Sequence, residues 1–182
     1  MMCFPTVSKG TVRIRSITEE HLTKTYVGWL NDPEVIKYSR QRQVIHTIDT
    51  VQEYYEIRKN SAGWLLAIEA IEDTPVHIGN INISVNSEDN YIGLSILVGN
   101  KKYWGTGHAY QAWQLALDTS LDELGFRLAI AGAMEINKPM IRLMEKSGMD
   151  IDGILPRRFI WNGREVGMVC ASKSSTVNIL RN

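Results

Sequence analysis

The chain has 182 residues, with 20 Lys and Arg against 20 Asp and Glu, so its formal net charge is zero. This length is typical of one domain of roughly 100–200 residues, and the neutral charge argues against a nucleic-acid-binding protein or a polybasic membrane-surface protein. The sequence has no apolar run of about 18 residues for a membrane helix and no secretory signal at its beginning, so we expect one cytoplasmic domain over residues 1–182, with loose termini at 1–10 and 173–182.

The N-terminal third predicts one strand and two helices. Apolar residues alternate over 11–17, which is typical of a short strand. Thr18, followed by two glutamates, is expected to begin the first helix, and Asn31-Asp32-Pro33 ends it. The second helix is expected over 50–60, with Thr50 as the N-cap of a capping box.

The middle of the chain predicts a β-meander. Segments 63–71, 76–85 and 91–98 each have the apolar pattern of a strand. The third segment is almost wholly apolar, as expected of a central, buried strand. Because only short turns separate the three segments, we expect neighbouring strands to pair antiparallel.

The C-terminal half predicts alternating helices and strands followed by a hairpin. A long amphipathic helix follows residue 108 and ends at Gly125, a strand covers 127–134, and a further helix is capped by Asn137. Asn162-Gly163 is a strong hairpin signal between two final strands. The fold class is therefore α+β, with a mixed, mostly antiparallel twisted sheet of about six to seven strands flanked by about four helices.

The cysteines and histidines show no pattern typical of a metal site. Cys3 and Cys170 lie far apart in the sequence, and the four histidines are scattered. We therefore expect two reduced thiols and no metal.

The most informative segment is the loop before the long helix. Gly105 and Gly107 allow the main chain to approach a ligand closely, and the N–H groups at a helix N-terminus, with the helix dipole, favour an anion. Lys101 and Lys102 are expected to add local positive charge. The pattern predicts a pyrophosphate site; the alternative is a glycine-rich turn that only reverses the chain.

Three segments resemble the GNAT superfamily of N-acetyltransferases. The run Lys102-Tyr103-Trp104-Gly105-Thr106-Gly107 resembles the family's Arg/Gln-x-x-Gly-x-Gly/Ala motif, with Lys102 in place of Arg or Gln. The segment from Asn137 to Met149 resembles the family's Asn-x-x-Ser/Ala…Leu-Tyr-Glu-x-x-Gly-Phe segment. The segment from Trp29 to Val35 is similar to the first helix of the branch that contains ribosomal-protein N-terminal acetyltransferases and many small-molecule relatives.

The resemblance implies acetyl-CoA as the co-substrate. In such enzymes the pyrophosphate lies on the loop amides, and the pantetheine arm runs beside the strand before the loop through main-chain hydrogen bonds. Asn137 is expected to bond the pantetheine or thioester region or to serve as a helix cap, and both roles can hold together. The residues expected to contact acetyl-CoA are Ile96, Leu97, Val98, Lys102, Tyr103, Trp104, Gly105, Thr106, Gly107, His108 and Asn137.

The sequence departs from the family at two positions that usually carry catalytic groups. Many members have Glu on the strand at the position of Tyr91, and Tyr in the last helix at the position of Met144. Neither role is carried over, so we expect proximity and orientation to supply much of the catalysis, with a main-chain N–H near Leu97 or Val98 stabilising the oxyanion. The candidate catalytic residues are Glu135, Tyr91, Ser95 and His46.

The function that we infer is acetyl transfer to the primary amine of a small molecule, by direct attack in a ternary complex. Arg40, Arg42, Arg157 and Arg158 are candidates to hold a phosphate or carboxylate of the acceptor, which suits a nucleotide-linked amino sugar, unless they are solvated surface arginines. Acetylation of protein N-termini and a catalytically silent acyl-CoA-binding module are the alternatives. We expect a monomer or a homodimer.

Overall fold

The structure is a computed structural model that describes residues 3–176. Its eight strands and four helices confirm the α+β class with a mixed sheet, slightly larger than the expected six to seven strands. The strands are β1 Val7–Lys9, β2 Val12–Ser16, β3 Gly63–Ala70, β4 Val76–Asn86, β5 Tyr91–Val98, β6 Leu128–Met134, β7 Asp150–Trp161 and β8 Arg164–Ser174. The helices are α1 Lys24–Asn31, α2 Ile48–Lys59, α3 His108–Asp118 and α4 Lys138–Lys146.

The strand order in the sheet is β1-β2-β3-β4-β5-β6-β8-β7. The pairs β1–β2, β2–β3 and β3–β4 are antiparallel, β5–β6 is parallel, and β6–β8 and β7–β8 are antiparallel. By its contacts the described chain divides into two compact units. The first holds the chain up to Ser84 with Ile96–Ala116, and the second holds Val85–Ser95 with the chain from Leu117 onward.

The core of the first unit forms between its helices and strand β3. Tyr26, Trp29 and Leu30 are buried on one face of α1, and they pack with Val51 of α2 and Leu65 of β3. This is the three- and four-residue spacing that an amphipathic helix requires. Burying side chains of this size accounts for most of the stability of such a unit, about 1.5–3 kcal/mol for each.

Trp29 also determines where the main chain can pass at the end of β5. A Cβ atom added to Gly99 would lie 2.0 Å from Trp29 Cδ2. Only glycine fits that position, so the packing of α1 holds the first residue of the following loop in place.

A buried carboxylate joins β2 and β3 in the first unit. The Glu69 side chain accepts hydrogen bonds from Arg13 Nε (2.6 Å) and Arg15 Nη2 (3.0 Å), and His21 Nε2 lies 3.3 Å from it. Burial alone raises the pKa of Glu69, but the hydrogen bonds from Arg15, Arg13 and His21 outweigh it and lower the pKa to about 2. Glu69 is therefore ionised and fully paired at neutral pH.

Both N-terminal helices begin elsewhere than the sequence predicts. A 3-10 turn at Glu19–His21 follows Thr18, and α1 begins at Lys24, where the hydroxyl of Thr23 accepts from the N–H of Tyr26. The prediction at Thr18 was wrong because His21 turns inward to Glu69, which a straight helix would not allow.

The N-cap of α2 is also displaced. It is Thr47 rather than Thr50, and the hydroxyl of Thr50 accepts from the Thr47 N–H to complete the capping box. Two threonines at this spacing satisfy the same main-chain donors as the predicted pair, three residues earlier.

The segments that were expected to be loose are partly ordered. Val7–Lys9 forms β1 against β2, and Phe4 is buried with its ring 5.5 Å from that of Trp64. At the other end β8 continues to Ser174. The remainder of the expected loose termini, residues 1–2 and 177–182, lies outside the described residues.

The second unit follows the predicted pattern closely. β5 pairs with β6 over Tyr91–Leu94, and β7 and β8 form the closing hairpin. Asn162 and Gly163 have φ angles of 49° and 73°, which confirms the predicted two-residue turn. The long helix continues beyond α3 as a π-helical turn at Thr119–Glu123.

Candidate cofactor site

The loop between β5 and α3 is built on a short 3-10 turn and two glycines. The Asn100 side chain accepts from the Lys102 N–H at 3.1 Å and so caps the turn Lys101–Tyr103. Gly105 and Gly107 then take φ angles of +74° and +90°. A Cβ at either glycine would meet nothing within 4 Å, so glycine is needed for its backbone conformation and the space beside it is open.

Helix α3 begins at His108, directly after Gly107 of this loop. The first N–H groups of an α-helix have no partner within the helix, and the helix dipole adds about half a positive charge there. The hydroxyl of Thr106 donates to Tyr103 O (2.7 Å) and contacts His108 Nδ1 (2.7 Å), and His108 Nε2 lies 3.3 Å from Thr11 Oγ1. These contacts fix the side chains of Thr106 and His108 at a helix N-terminus, a position that favours an anion.

The two lysines of the loop do not supply the expected positive excess. Lys101 Nζ lies 2.8 Å from Asp32 and 2.6 Å from Glu34. Lys102 Nζ lies 3.3 Å from Glu72. Three carboxylates therefore surround two lysines, which corrects the expectation; the electrostatic attraction for an anion comes from the main-chain amides of the helix N-terminus.

Glu72 is a residue of this loop's surroundings that the sequence did not indicate. It accepts a hydrogen bond from the Tyr103 hydroxyl at 2.6 Å, besides its contact with Lys102. The hydrogen bond from Tyr103, followed by that from Lys102, lowers the pKa of Glu72, and the contact with Glu72 raises the pKa of Tyr103. Glu72 lies in an exposed segment 30 residues before Lys102, and no local sequence pattern predicts a contact over that separation.

The end of β5 directs some of its main-chain groups away from β4, beside the loop. The N–H of Gly99 donates to Ile78 O of β4 at 2.9 Å. Because successive strand residues direct their main-chain groups to opposite edges, the N–H and C=O of Val98 and Ile96 point away from β4. Ile96–Val98 extends beyond the segment Tyr91–Leu94 that pairs with β6, so this edge can accept an extended ligand with amide groups.

Comparison with protein-family models identifies the family of this chain. The acetyltransferase (GNAT) domain matches residues 11–150, which is more than half of the chain. The chain belongs to this family. It is therefore an enzyme of the acetyltransferase class, and the resemblance found in its sequence is confirmed at the level of the superfamily.

Solved structures agree with this assignment at the level of the fold. A GNAT-family acetyltransferase from Bacillus anthracis superposes with a TM-score of 0.81 at 17% identity, covering 94% of this chain and 99% of that one. Spermidine N-acetyltransferase from Vibrio cholerae, solved with CoA and spermine, has a TM-score of 0.80 at 20% identity, covering 91% and 96%. The microcin C7 self-immunity acetyltransferase, solved with acetyl-CoA and AMP, has a TM-score of 0.77 at 14% identity, covering 91% and 93%.

No curated protein matches the sequence of this acetyltransferase. Among the residues that the structure describes, no helix is long and apolar enough to cross a membrane. Over the same part of the chain, no group of three or more His, Cys, Asp or Glu side chains could hold a metal ion.

His46 is the candidate catalytic residue of the acetyltransferase that lies in its first unit. Asn31 holds the main chain of His46 through two hydrogen bonds, of 2.9 Å to its N–H and 2.8 Å to its C=O. The His46 Nε2 atom is shielded from solvent and has no hydrogen-bond partner among residues 3–176. The hydrogen-bonding capacity of this ring nitrogen is therefore unused by the described residues.

Glu135 and Asn137 lie in the second unit, after β6. Glu135 Oε1 accepts from the Gly167 N–H at 2.9 Å, and the Glu135 N–H donates to Gly167 O at 3.0 Å. The side chain of Asn137 accepts from the Met140 N–H at 3.3 Å, which confirms its role as the cap of α4. One carboxylate oxygen of Glu135 and the amide oxygen of Asn137 are thus engaged within this unit.

The remaining candidates of the second unit, Tyr91 and Ser95, both lie on β5. Tyr91 is half-buried at the start of β5, and Ser95 is exposed further along the same strand. Met144 is fully buried in α4. A buried thioether cannot donate a proton, so the departure from the family at this position excludes an acid there.

The structure shows chain contacts for Arg42 and Arg157, which were proposed for the acceptor. Arg42 Nη1 donates to Ser39 O at 2.6 Å. Arg157 Nε lies 3.6 Å from Glu165, and both of these side chains are mostly exposed. These two contacts leave fewer donors for an anionic acceptor than the sequence suggested.

Proposed function

We propose that this acetyltransferase moves an acetyl group from acetyl-CoA to the primary amine of a small molecule. The observation that carries the proposal is the loop Gly105–His108, with left-handed glycines and open space beside them, which leads into the N-terminus of α3. The amides at a helix N-terminus favour a pyrophosphate. The edge of Ile96–Val98 would hold the amides of the pantetheine arm.

The reaction requires the chain to orient two substrates and to manage one proton. When bound, acetyl-CoA supplies a thioester carbonyl that an amine can attack. The N–H of Val98 faces the free edge of β5, so we favour it over that of Leu97 as the oxyanion donor. Orienting the substrates can supply about 7–11 kcal/mol of the barrier.

The acceptor's proton needs a base or water. We favour His46 among the candidates because its Nε2 has no partner in the described chain, whereas Glu135 already accepts from Gly167. Ser95 remains a further candidate for the base, and Tyr91 remains a candidate for donating a proton to the departing thiolate. Replacing His46 with Gln should lower kcat, whereas Glu135→Gln should leave kcat close to the wild-type value.

Two similar proteins suggest the class of the acceptor. One is a spermidine N-acetyltransferase, and the other, the microcin C7 self-immunity acetyltransferase, was solved with acetyl-CoA and AMP. We infer a small-molecule amine, with nucleotide-linked amino sugars as the candidates that the arginines suit. Acetylation of protein N-termini is the second candidate, because Trp29–Val35 resembles the branch that contains those enzymes.

The experiment is a thiol-release assay with acetyl-CoA and a panel of amino sugars, polyamines, amino acids and N-terminal peptides. We expect release with a small amine and none with peptides. Release with peptides alone would move the assignment to protein N-termini. Binding of CoA without release from any acceptor would favour a silent acyl-CoA-binding module.

We also propose a cytoplasmic protein that acts as a monomer or homodimer. Both cysteines, Cys3 and Cys170, are free thiols, as in a reducing compartment. Sedimentation velocity at two protein concentrations would distinguish the two oligomeric states.

A further inference from the structure

The side chain of Trp104 occupies the main-chain edge that the proposed function gives to pantetheine. Its indole Nε1–H donates to Val98 O at 2.8 Å, which is a well-formed hydrogen bond. The indole nevertheless remains 39% exposed. A large aromatic ring is therefore folded back over the end of β5 from the solvent side.

The carbonyl that Trp104 covers is directed to the edge of β5 that faces away from β4. Gly99 N–H bonds to β4, so the neighbouring residue Val98 directs its C=O to the opposite edge. The segment of β5 that pairs with β6 is Tyr91–Leu94, which Val98 lies beyond. An amide of an extended ligand would need this same acceptor.

The indole is held by its neighbour in the loop rather than by the core. Lys101 Nζ lies 5.9 Å from the centre of the Trp104 ring, within the range of a cation–π contact. Lys101 is in turn paired with Asp32 and Glu34. All of these side chains are exposed or half-buried, so the indole can leave its position without opening the core.

We propose that Trp104 is a positioning residue that covers the pantetheine edge in the free enzyme and is displaced when CoA binds. This inference rests on the proposed function, since it takes CoA as the ligand. The Trp104–Val98 hydrogen bond breaks as the pantetheine amide takes over Val98 O. Trp104 thereby opposes every ligand with a pantetheine arm and is indifferent to one that carries only the pyrophosphate.

The test compares CoA with ADP, which carries a pyrophosphate and no pantetheine. Trp104→Phe keeps an aromatic ring and removes the N–H donor. Because one hydrogen bond to a neutral acceptor has a net value of about 0.5–1.5 kcal/mol, we expect the Kd for CoA by calorimetry to fall about threefold to tenfold. The Kd for ADP should stay unchanged, and Trp161→Phe should change neither.

The outcomes separate this inference from the proposed function. Unchanged or weaker CoA binding by a folded Trp104→Phe enzyme, or an equal change for ADP, would overturn the role of Trp104 alone. Wild-type enzyme that binds no CoA would overturn the proposed function and the inference with it. As an independent readout, the indole N–H resonance of Trp104, assigned by its loss in Trp104→Phe, should shift with CoA and not with ADP.

Discussion

Two carboxylates three residues apart, Glu69 and Glu72, hold basic or hydroxyl partners in very different surroundings. The Glu69 side chain is 5% exposed and binds Arg13 and Arg15 across two strands. The Glu72 side chain is 44% exposed and binds Tyr103 and Lys102 in the loop between β5 and α3. The contacts are chemically similar, but their burial differs. We therefore expect the buried Glu69 cluster to determine the stability of the fold and the exposed Glu72 cluster to contribute little to it.

The difference predicts which substitutions unfold the enzyme and which alter its binding. Removing a partner from a buried ion pair leaves an uncompensated charge, at a cost of about 3–5 kcal/mol. Removing an exposed partner changes mainly the local potential. The predictions below test this division, beginning with the largest effect.

Substituting Gly107 with Glu should abolish CoA binding, with at least a hundredfold rise in Kd. The new carboxylate would stand beside the amides at the N-terminus of α3 and repel phosphate. The matched control is Gly163→Glu in the β7–β8 turn, where φ is +73° and a Cβ also meets nothing within 4 Å. Calorimetry should show binding by the control; equal loss in both variants would mean that backbone strain, and not the site, explains the effect.

Substituting Glu69 with Gln should reduce the free energy of unfolding by about 3 kcal/mol at pH 7, because Arg13 and Arg15 lose their shared counter-charge. Urea denaturation measures this loss. Glu72→Gln is the control and should unfold at the same urea concentration as wild type. Similar midpoints for both variants would contradict the division between the two carboxylates.

Acid should weaken the fold in two separate windows. Burial, assisted by nearby His21, outweighs hydrogen bonds to Asn80 and Gly79 and lowers the pKa of His77 to about 4 from 6.5. Because the pKa of His77 is lower in the folded state, the neutral imidazole contributes its full stabilisation above pH 6.5. This contribution is lost as the pH falls toward 4. Glu69, with a pKa lowered from 4.5 to about 2, adds its own loss only below pH 4.5.

The upper window can be measured without disturbing Glu69. Between pH 7 and pH 5 the free energy of unfolding should fall by about 2 kcal/mol because of His77. His77→Gln should flatten this segment of the curve. A wild-type curve that is flat over this range, or a variant that retains the full slope, would show that His77 does not titrate as described.

Substituting Glu72 with Gln should tighten CoA binding about twofold to fivefold, the smallest effect in this series. The substitution removes a negative charge beside the anion site and releases Lys102. The gain should shrink as salt is raised. Glu56→Gln, which removes the exposed partner of Lys59 in α2, is the matched control and should leave the Kd unchanged.

Local sequence patterns were sufficient for most of the fold. The bounds of β5 were predicted to the residue, and Asn162-Gly163 formed its turn, because alternation and turn chemistry act over a few neighbours. The starts of α1 and α2 were wrong because His21 contacts Glu69, 48 residues away, and because two threonines competed as cap. The three-residue strand β1 was too short to give a pattern.

The site divides in the same way. The role of Gly105 and Gly107 could be predicted because a positive φ angle favours glycine, so the backbone conformation is reflected in the residue type. The pairing of Lys102 with Glu72 and the hydrogen bond of Trp104 to Val98 were not, because tertiary packing brings these groups together. A loop conformation that requires glycine can thus be predicted from sequence further than contacts between distant side chains.

The most direct test of the account is an NMR titration that follows the main-chain amides of the loop. We predict that the N–H resonances of Gly105–His108 shift and saturate with both CoA and ADP, because the two ligands share the pyrophosphate that we propose these amides bind. Saturable CoA binding with these four resonances unmoved would contradict the assignment of the pyrophosphate to this loop.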